Sequence, residues 1–338
     1  MIITPPSFAH LAAMSDGVGT FEHAELIEPR RAGGYCTDDL ARVLVVTVRE
    51  PRPTRAVADL GRMAYWFLAD AQGVAGRVHN RRNERGRWTD RRGVEDCWGR
   101  TVWAFGSAVR HAPDDWMRQS AMSYFDRGAQ QRSPHRRAMV FAALGAAEVL
   151  EVHPRHAPAR RLLADAVEAI GPLGADPAWP WPEARLTYAN AALPEVLIAA
   201  GQLLDRPDVL ADGIAMLRWL LTRETLDGHH SATAVGGAGP GDRPPVYDQQ
   251  PIEVAAMADA CTRALDATGA AEWRDGIERA AGWFLGANDS GAVMWDSRTG
   301  GGYDGLERDG VNRNEGAEST LALIATMQRA LGAVPTAA

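Results

Sequence analysis

One recurring pattern of helix starts constrains the fold of this chain more than any other feature. The segment "YDQQPIEVAAMADA" (247–260) begins with polar residues and continues into a run made almost only of Ala, Val and Met. Five other segments combine a Gly-rich or polar loop, one or two polar side chains and a small-residue helix. The polar starts lie roughly 40 to 63 residues apart, which is the length of one helical hairpin. They are Asp39, Asp96, Arg136, Asn190, Glu253 and Glu315.

Apolar residues recur at helical rather than alternating spacing along nearly the whole sequence. Amphipathic segments such as 156–173 and 270–288 suit an outer layer with one wet face. Nearly apolar segments such as 138–149 and 189–200 suit an inner layer that is buried on all sides. The predicted helices cover 38–50, 59–71, 96–112, 114–131, 135–152, 156–173, 188–204, 207–224, 251–268, 270–288 and 315–331, and a further helix includes "PPSFAHLAAM".

Hairpins that each contribute one inner helix predict an all-α fold, the (α/α)6 barrel or six-hairpin toroid, with about twelve helices. In such a ring, the polar starts of the inner helices line one pocket. No Gly/Ser linker or charge run divides the helices. We therefore predict a single domain over residues 1–338 with short N- and C-terminal tails.

Charge and composition exclude several classes of function. The formal net charge of -7 and the pI near 5.7 argue against a nucleic-acid or membrane partner. All 36 basic residues are Arg, which excludes Schiff-base aldolases, pyridoxal phosphate enzymes and Gly-Lys-Ser/Thr phosphate loops, because each needs a Lys. We predict no cofactor. The basic segment 77–92 is predicted to be a solvated loop, with a site for an acidic substrate as the alternative.

Cysteine usage and the N-terminal segment indicate a reduced, soluble protein. Cys36, Cys97 and Cys261 form no CxxC pair, so we predict buried thiols with neither a disulfide framework nor a zinc site. The N-terminal residues lack the basic start and apolar run of a signal peptide, and no stretch approaches the length of a membrane span. We predict a cytoplasmic location and no bound metal.

Two helix starts in the first third of the chain combine acids with an Arg one turn later. In "GGYCTDDLAR", Asp39 and Arg42 share a helix face, and Thr37 is the candidate N-cap. In "GVEDCWGR", Asp96 and Arg100 repeat the arrangement. Acids in a first turn also favour the helix dipole without any further role. Both interpretations stay open for these carboxylates.

Aromatic and histidine residues precede two later helices. In "WPWPEARLTYANAALPEV", Trp181 and Tyr188 could stack on a sugar ring, although burial in the core is the ordinary role of Trp. The Gly/Pro-rich loop 227–253 is long enough to predict a functional segment. His229 and His230 lie in it, but no further ligands follow at helical spacing, so a metal site is not predicted there.

The last helix start offers a structural and a functional glutamate. Asn312 and Glu315 have the spacing of a capping box, which would explain Glu315 structurally. Glu318 lies one turn deeper on the same face, ahead of a run of Leu, Ala and Ile. We therefore interpret Glu318 as a candidate functional residue.

Six motifs together resemble a bacterial family of six-hairpin glycosidase-like proteins. The motifs are "GYCTDDLAR", "EDCWGR", "YANAALPE", "DQQPIE", "WFLGAND" and "NRNEGAEST". Members of this family are often labelled glycosyltransferases because some relatives are fused to a glycosyltransferase domain, and this chain shows no such Rossmann-type half. The resemblance runs from about residue 17 to 331 and implies an (α/α)6 toroid, carbohydrate-active chemistry and pocket-lining roles for 33–42, 248–253 and 312–320.

A glycosidase needs two carboxyl groups across the scissile bond, one to protonate the leaving oxygen and one to activate water or attack carbon. We predict a glycoside hydrolase, with inversion favoured because carboxylates from opposite helices can span a sugar and a water. Glu253 or Asp96 is the predicted acid, and Glu315 or Glu318 the predicted base. The predicted catalytic residues are Asp39, Asp96, Glu253, Glu315 and Glu318, and the predicted binding residues are His23, Tyr35, Asp38, Arg42, Arg100, Trp181, Tyr188, Asn190, His230, Asp248, Gln249, Gln250 and Asn314.

Three alternatives use the same pocket. A sugar epimerase or isomerase would use His as acid and base. A phosphorylase would need an anion site, and a non-catalytic sugar-binding protein would tolerate removal of every carboxylate. The candidate acid–base residues are His23, His135, His229 and His230, and the candidate anion ligands are Arg42, Arg100 and Arg136.

Overall fold

The computed structural model describes residues 4–333, and helices dominate this part of the chain. It contains twelve α-helices, which agrees with the number predicted. None of the helices in this range combines the length and the apolar content needed to cross a bilayer. The helices are α1 (Ala9–Ala13), α2 (Thr37–Val48), α3 (Arg55–Ala71), α4 (Asp96–His111), α5 (Asp115–Gly128), α6 (Arg136–Val152), α7 (Ala157–Ile170), α8 (Ala192–Leu203), α9 (Pro207–Arg223), α10 (Pro251–Thr268), α11 (Ala271–Phe284) and α12 (Ala317–Ala333).

The β-structure of residues 4–333 is limited to four antiparallel hairpins in the connections between helices. Each strand has two or three residues, too few for the alternating pattern by which a strand is recognised in a sequence. The all-α prediction is therefore confirmed. The pairs are β1 (Ala24–Glu25) with β2 (Glu28–Pro29), β3 (Tyr35–Cys36) with β4 (Arg81–Arg82), β5 (Thr225–Leu226) with β6 (His229–His230), and β7 (Gly305–Glu307) with β8 (Gly310–Asn312).

The described chain divides into two compact units. The N-terminal unit contains residues 11–170 and 203–206, and the C-terminal unit contains residues 4–10, 171–202 and 207–333. The single-domain organisation stays a prediction, and the tails predicted for it include residues 1–3 and 334–338, which lie outside the described residues.

Helices of two kinds alternate along the chain, as the sequence predicts. Every residue of α6 from Arg137 to Leu150 is buried, whereas α7 buries only one stripe of Ala, Leu and Ile side chains. In the N-terminal unit, α4 packs against both α2 and α6. The remaining helices each pack against one inner helix: α3 against α2, α5 against α4 and α7 against α6. In the C-terminal unit, α10 packs against α11 and α12. The small-residue helices are thus the inner ones within each unit.

Two helices begin two or more residues later than predicted. The helix predicted from 188 begins at Ala192, because Ala189 has a positive φ of 45° that interrupts helical geometry. The helix predicted from 315 begins at Ala317. In both cases the polar residues that precede the helix form the connection to it and contact side chains distant in sequence.

Glycines let α4 and α6 approach each other backbone to backbone. A methyl group added at Gly106 would overlap the carbonyl oxygen of Gly145, and one added at Gly145 would overlap that of Val102. Such contacts leave no room for a Cβ atom at these two positions. The small-residue composition of the inner helices therefore has a direct packing cause.

Replacing Gly145 by Ala is expected to lower the unfolding free energy by about 1–3 kcal/mol, because the two backbones must separate. Helix propensity alone predicts the opposite sign, a gain of about 1 kcal/mol. Urea denaturation measures the difference. Gly332→Ala in α12 is the control, since nothing lies within 4 Å of the added Cβ there. An unchanged or raised midpoint for Gly145→Ala would contradict the close approach.

Candidate functional site

The start of α2 places two aspartates beside two arginines in the N-terminal unit. Asp39 is buried, and its Oδ1 accepts a hydrogen bond of 2.7 Å from Arg42 Nη1, one turn along the helix. Asp38 is half-buried, and its Oδ1 lies 3.3 Å from Nε of the buried Arg100. The four predicted residues are therefore neighbours in two ion pairs.

Thr37 is not the N-cap of α2, and this prediction was wrong. Cys36 occupies the N-cap position, with no side-chain capping hydrogen bond within the described residues. Thr37 Oγ1 donates instead to the carbonyl oxygen of His79, at 2.8 Å. The pairing of β3 with β4 brings this backbone acceptor to the hydroxyl, and that long-range pairing has no signal in the local sequence.

Tyr35 and His23 occupy very different surroundings. Tyr35 is buried, and its hydroxyl donates to Asp16 Oδ2 at 2.7 Å. Burial, followed by this carboxylate, raises the pKa of Tyr35 well above its usual range. The His23 side chain is 60% exposed. In this structure, Tyr35 is a core residue of the N-terminal unit rather than a group that faces solvent.

Arginines of the basic segment 77–92 contact other side chains of the N-terminal unit. Arg82 lies over the rings of Phe67 and Trp88, with its guanidinium carbon 5.5 and 5.2 Å from their centroids. Arg81 forms an ion pair with Glu22. These contacts favour the interpretation of a structured connection over that of a site for an acidic substrate.

Glu22, Cys36 and Asp39 are the group of described residues whose ligand atoms could surround a metal ion, lying within 4.8 Å of one another. Each carboxylate already faces a cation, since Glu22 pairs with Arg81 and Asp39 with Arg42. Burial, followed by the nearby carboxylates, raises the pKa of the Cys36 thiol, which disfavours the thiolate that a metal needs. All three cysteines are buried and free of disulfides, as predicted.

Two of the predicted residues are the first residues of α4 and α6. Asp96 is the first residue of α4 and is half-buried. Arg136 Nε donates to the carbonyl oxygen of Ala169 at 3.0 Å, and His135 is exposed. The roles predicted for Asp96, Arg136 and His135 stay predictions.

In the C-terminal unit, Glu253 binds the connection that leads to α8. Its carboxylate accepts hydrogen bonds from the backbone N–H groups of Ala189 and Asn190 and from the Asn190 side chain, the last at 3.1 Å. Both Glu253 and Asn190 are buried. Donors that converge on a carboxylate stabilise its charged form. This geometry suits an anchor for the connection better than a proton donor.

Gln249 is the centre of a second buried network. Its Oε1 accepts from Ala232 N and Trp283 Nε1, at 3.2 and 3.1 Å, and its Nε2 donates to Asp289 Oδ2 at 2.6 Å. The other oxygen of Asp289 lies 2.9 Å from His229 Nε2. His229 and Asp289 therefore form a histidine–carboxylate pair, which the sequence did not predict.

Asp248 lies just before α10 and is half-buried. Its Oδ2 accepts from Gln250 Nε2 at 3.0 Å, whereas its buried Oδ1 has no hydrogen-bond partner among residues 4–333. Burial raises the pKa of Asp248, the charges of Glu307 and Asp304 raise it further, and the bond from Gln250 opposes them. A methyl group at Gly305 would overlap Oδ1, so this glycine makes room for the carboxyl group.

Glu315 is buried against His10 and Thr299. Its Oε2 accepts from Thr299 Oγ1 at 2.6 Å and lies 3.5 Å from His10 Nδ1. His10 Nε2 donates to the Glu315 carbonyl oxygen at 2.7 Å, so Nε2 carries a proton. The facing Nδ1 and Oε2 attract each other only if a second proton lies on one of them. Burial raises the pKa of Glu315, while Thr299 and His10 oppose it.

The predicted capping box of Asn312 and Glu315 does not form. The Glu315 side chain turns to Thr299 and His10, and Asp304 provides contacts near the start of α12 instead. Asp304 Oδ1 accepts from Gly316 N at 2.9 Å and from Ser319 Oγ at 2.7 Å. The prediction was wrong because a residue of the preceding loop, outside the motif, supplies the acceptor.

Other predicted residues around these helix starts differ in exposure. Glu318 is half-buried in the first turn of α12, and the carbonyl oxygen of Asn314 accepts from Asp304 N at 2.9 Å. Tyr188 is 44% exposed. Trp181 is only 2% exposed and stacks on Trp219, with ring centroids 5.9 Å apart. The core interpretation therefore fits Trp181 better than a sugar-stacking role.

A buried acid and a buried histidine lie beside β5 and β6. Burial raises the pKa of Glu224 to about 8, against the bond from Thr233 Oγ1. Burial, with Arg279 next, lowers the pKa of His230 to about 4. Both side chains are therefore neutral near pH 6, and His230 does not face solvent as a predicted binding residue would.

The stability of the protein is expected to fall as pH rises from about 6.5 to 8, because Glu224 ionises near 4.5 when unfolded and near 8 when folded, whereas below about 6.5 the lowered pKa of His230 has the opposite effect. In this window the folded state binds more protons, so the unfolding free energy falls by up to about 1.4 kcal/mol per pH unit. Glu224→Gln should flatten that slope in urea titrations at several pH values, whereas Glu278→Gln on the exposed face of α11 should not. Equal slopes for the two variants would contradict the assignment.

No protein-family model and no curated protein sequence matches this chain. Several solved structures do. A sugar epimerase from a ruminal bacterium is 11% identical, with a TM-score of 0.72 over 98% of this chain and 97% of that one. A D-mannose isomerase is 10% identical, with a TM-score of 0.69 over 96% and 94%. An inactive variant of the α-1,6-mannanase of Salegentibacter sp., in complex with α-1,6-mannotetrose, is 10% identical, with a TM-score of 0.64 over 96% of each chain.

These likenesses show the fold alone, because all the identities are low. The fold is the (α/α)6 barrel. That prediction from the sequence is confirmed. None of the three structures is described as a glycosyltransferase, the label attached to the resembling family.

Proposed function

We propose that this protein is a carbohydrate-active enzyme, a glycoside hydrolase with Asp248 as its general acid. One observation carries the proposal: Asp248 is half-buried before an inner helix, its pKa is raised, and its Oδ1 has no partner within residues 4–333. A general acid must hold its proton near neutral pH and direct it at a leaving oxygen. The occurrence of this fold in an α-1,6-mannanase supports a saccharide as substrate.

The proposed reaction divides between two carboxyl groups. Asp248 protonates the glycosidic oxygen as the bond to the anomeric carbon breaks, and an ionised carboxylate removes a proton from the attacking water. Glu318 is the proposed base because it is half-buried in the first turn of α12, where solvent reaches it. Glu315 is less suited to this role because it is fully enclosed with Thr299 and His10.

Glu253 has a different role in this proposal from the one predicted for it. Three N–H donors already converge on its carboxylate, and a proton donor needs the opposite environment. Asp248 lies close to it in sequence and has a raised pKa. The catalytic roles of Asp39 and Asp96 stay predictions.

A sugar epimerase or isomerase is the second candidate, favoured by the pairing of His229 with Asp289 at 2.9 Å. A carboxylate that holds one ring nitrogen of a histidine prepares the other for proton transfer at a carbon beside a carbonyl. A sugar epimerase and a D-mannose isomerase have this fold. Among the four predicted histidines, His23 also faces a carboxylate, with Nε2 3.6 Å from Glu22, but His229 has the shorter contact and the less exposed side chain.

The two functions make different products, so one experiment separates them. The full-length protein is incubated with 4-nitrophenyl α-mannoside, α-1,6-mannotetraose, cellobiose and mannose, and products are followed by proton NMR. Hydrolysis gives new reducing ends, and the first anomer formed reports inversion or retention. Epimerised cellobiose or isomerised mannose without any glycosidic cleavage would reject the hydrolase in favour of the second candidate.

A further inference from the structure

Trp295 differs from the other tryptophans of this chain. Of the eleven, seven donate the indole N–H to a protein acceptor. Trp66 and Trp116 stack on each other, and Trp103 lies beneath Arg49. Trp295 has neither an indole hydrogen bond nor a ring contact within residues 4–333, although it is half-buried. An amphipathic ring without protein partners is available for a ligand.

Trp295 lines a cleft of about 460 Å³ in the C-terminal unit. Trp295 pairs with Gly302 across an antiparallel bridge, which places Tyr303 at the next position of the opposite segment. The Tyr303 hydroxyl also lacks a hydrogen-bond partner in the described chain. The volume lies within the range of roughly 300–1,000 Å³ that is usual for small-ligand sites. Two aromatic side chains with free polar ends therefore share one open cleft.

The charged groups of the cleft are balanced. Asp309 and Arg313 both line it, both are exposed, and neither has an ion-pair partner among the described side chains. One acid and one base leave no net charge, so an anionic or cationic ligand gains little from the pair. A neutral ligand with many hydroxyl groups can use both, since the carboxylate accepts and the guanidinium donates hydrogen bonds.

We propose that the cleft of Trp295, Tyr303, Asp309 and Arg313 is a binding subsite for a neutral oligosaccharide, whose sugar ring stacks on Trp295. The inference rests on the proposed function in taking a saccharide as the ligand, and it deepens that function by naming an oligosaccharide rather than a monosaccharide. Aromatic faces bind the apolar C–H face of a pyranose, while carboxylate and guanidinium groups bind its hydroxyls.

Isothermal titration calorimetry of the full-length protein tests the subsite with α-1,6-mannotetraose, cellotetraose and maltotetraose as probes. At least one tetrasaccharide is expected to bind, and Trp295→Ala should weaken that binding about tenfold. Trp295→Phe keeps a stacking face and should weaken it less. Trp116→Ala is the matched control, because that ring is 41% exposed in the N-terminal unit. Circular dichroism confirms that each variant is folded.

Two results would overturn the subsite: no tetrasaccharide binds at millimolar concentration, or the best one binds Trp295→Ala as tightly as the parent protein. Repeating the titration with Asp248→Asn measures tetrasaccharide binding without the proposed general acid, and this separates the subsite from the proposed function. Binding that depends on Trp295, in a protein that cleaves no glycoside, would retain the subsite and reject the hydrolase. Glycosidase activity together with Trp295-independent binding would do the reverse.

Discussion

Asp248→Asn is expected to lower the rate of hydrolysis of an unactivated mannoside about 10²- to 10⁴-fold, the usual contribution of a general acid. The Asn amide keeps the shape of the side chain and can still meet Gln250, but it has no acidic proton for the leaving oxygen. The parent enzyme should lose activity as pH rises through the raised pKa of Asp248. The variant should lack that alkaline limb. Initial rates on α-1,6-mannotetraose across pH measure both effects.

Leaving-group dependence distinguishes a general acid from a merely structural aspartate. An aryl glycoside with a 2,4-dinitrophenolate leaving group needs little protonation, so Asp248→Asn should retain most of its activity on that substrate. Asp275→Asn, the same substitution at an exposed position of α11, should leave both substrates unaffected. Equal losses on the activated and unactivated substrates would reject Asp248 as the acid, even with the fold intact.

Glu253→Gln is expected to lower the unfolding free energy by about 3–5 kcal/mol. The carboxylate accepts two backbone N–H bonds and one side-chain bond inside a buried network. Gln offers one acceptor oxygen and turns an N–H₂ group toward donors, so buried N–H groups lose their partners. Urea denaturation followed by circular dichroism measures the change. Tryptophan fluorescence should report the same transition.

The stability of Glu253→Gln also decides between the catalytic role predicted from the sequence and the anchoring role inferred from its hydrogen bonds. A structural anchor predicts a large loss of stability, with residual activity per folded molecule. A catalytic acid predicts near-normal stability with activity lost. Glu278→Gln provides the matched control on an exposed helix face. Full stability of Glu253→Gln would contradict the anchoring role, and Glu253 would return as a candidate acid.

The helices were predictable because their signal is local and repeated. An inner helix such as α6 must bury every face, and only a run of Ala, Val, Leu, Met and Gly satisfies that requirement while neighbouring backbones approach. An outer helix such as α7 shows one apolar stripe at helical spacing. Each type is visible within a single window of sequence, so the alternation and the fold class follow without any long-range information.

The local environments of the site residues were not predictable in the same way. The pKa of Asp248 depends on burial and on Glu307 and Asp304, more than fifty positions away. His10 and Glu315 are in contact although they lie 305 positions apart in the sequence. The residues around either one give no sign of this contact. The sequence therefore indicates which helix starts carry polar residues. It does not indicate which carboxylate accepts several hydrogen bonds and which has its pKa raised by burial.

Capping predictions failed for a related reason. Thr37 and Asn312 have the right residue types at the right spacing, but β3–β4 pairing and Asp304 supply other partners to those helix starts. A motif states which local hydrogen bonds are available, and tertiary structure chooses among them. Local capping motifs therefore fail at helix starts such as these, where loops from elsewhere in the fold supply the hydrogen-bond partners.

The contact of His10 with Glu315 has a consequence for the order of events on the ribosome. Residues 4–10 emerge from the ribosome before the N-terminal unit, yet they belong to the C-terminal unit. Glu315, the partner of His10, lies just before α12 and is synthesised 305 residues later. Native contacts of such high sequence separation form slowly. We expect the N-terminal unit to fold during translation, as domains generally do. Residues 4–10 cannot form their native contacts until the last helix has left the ribosomal exit tunnel.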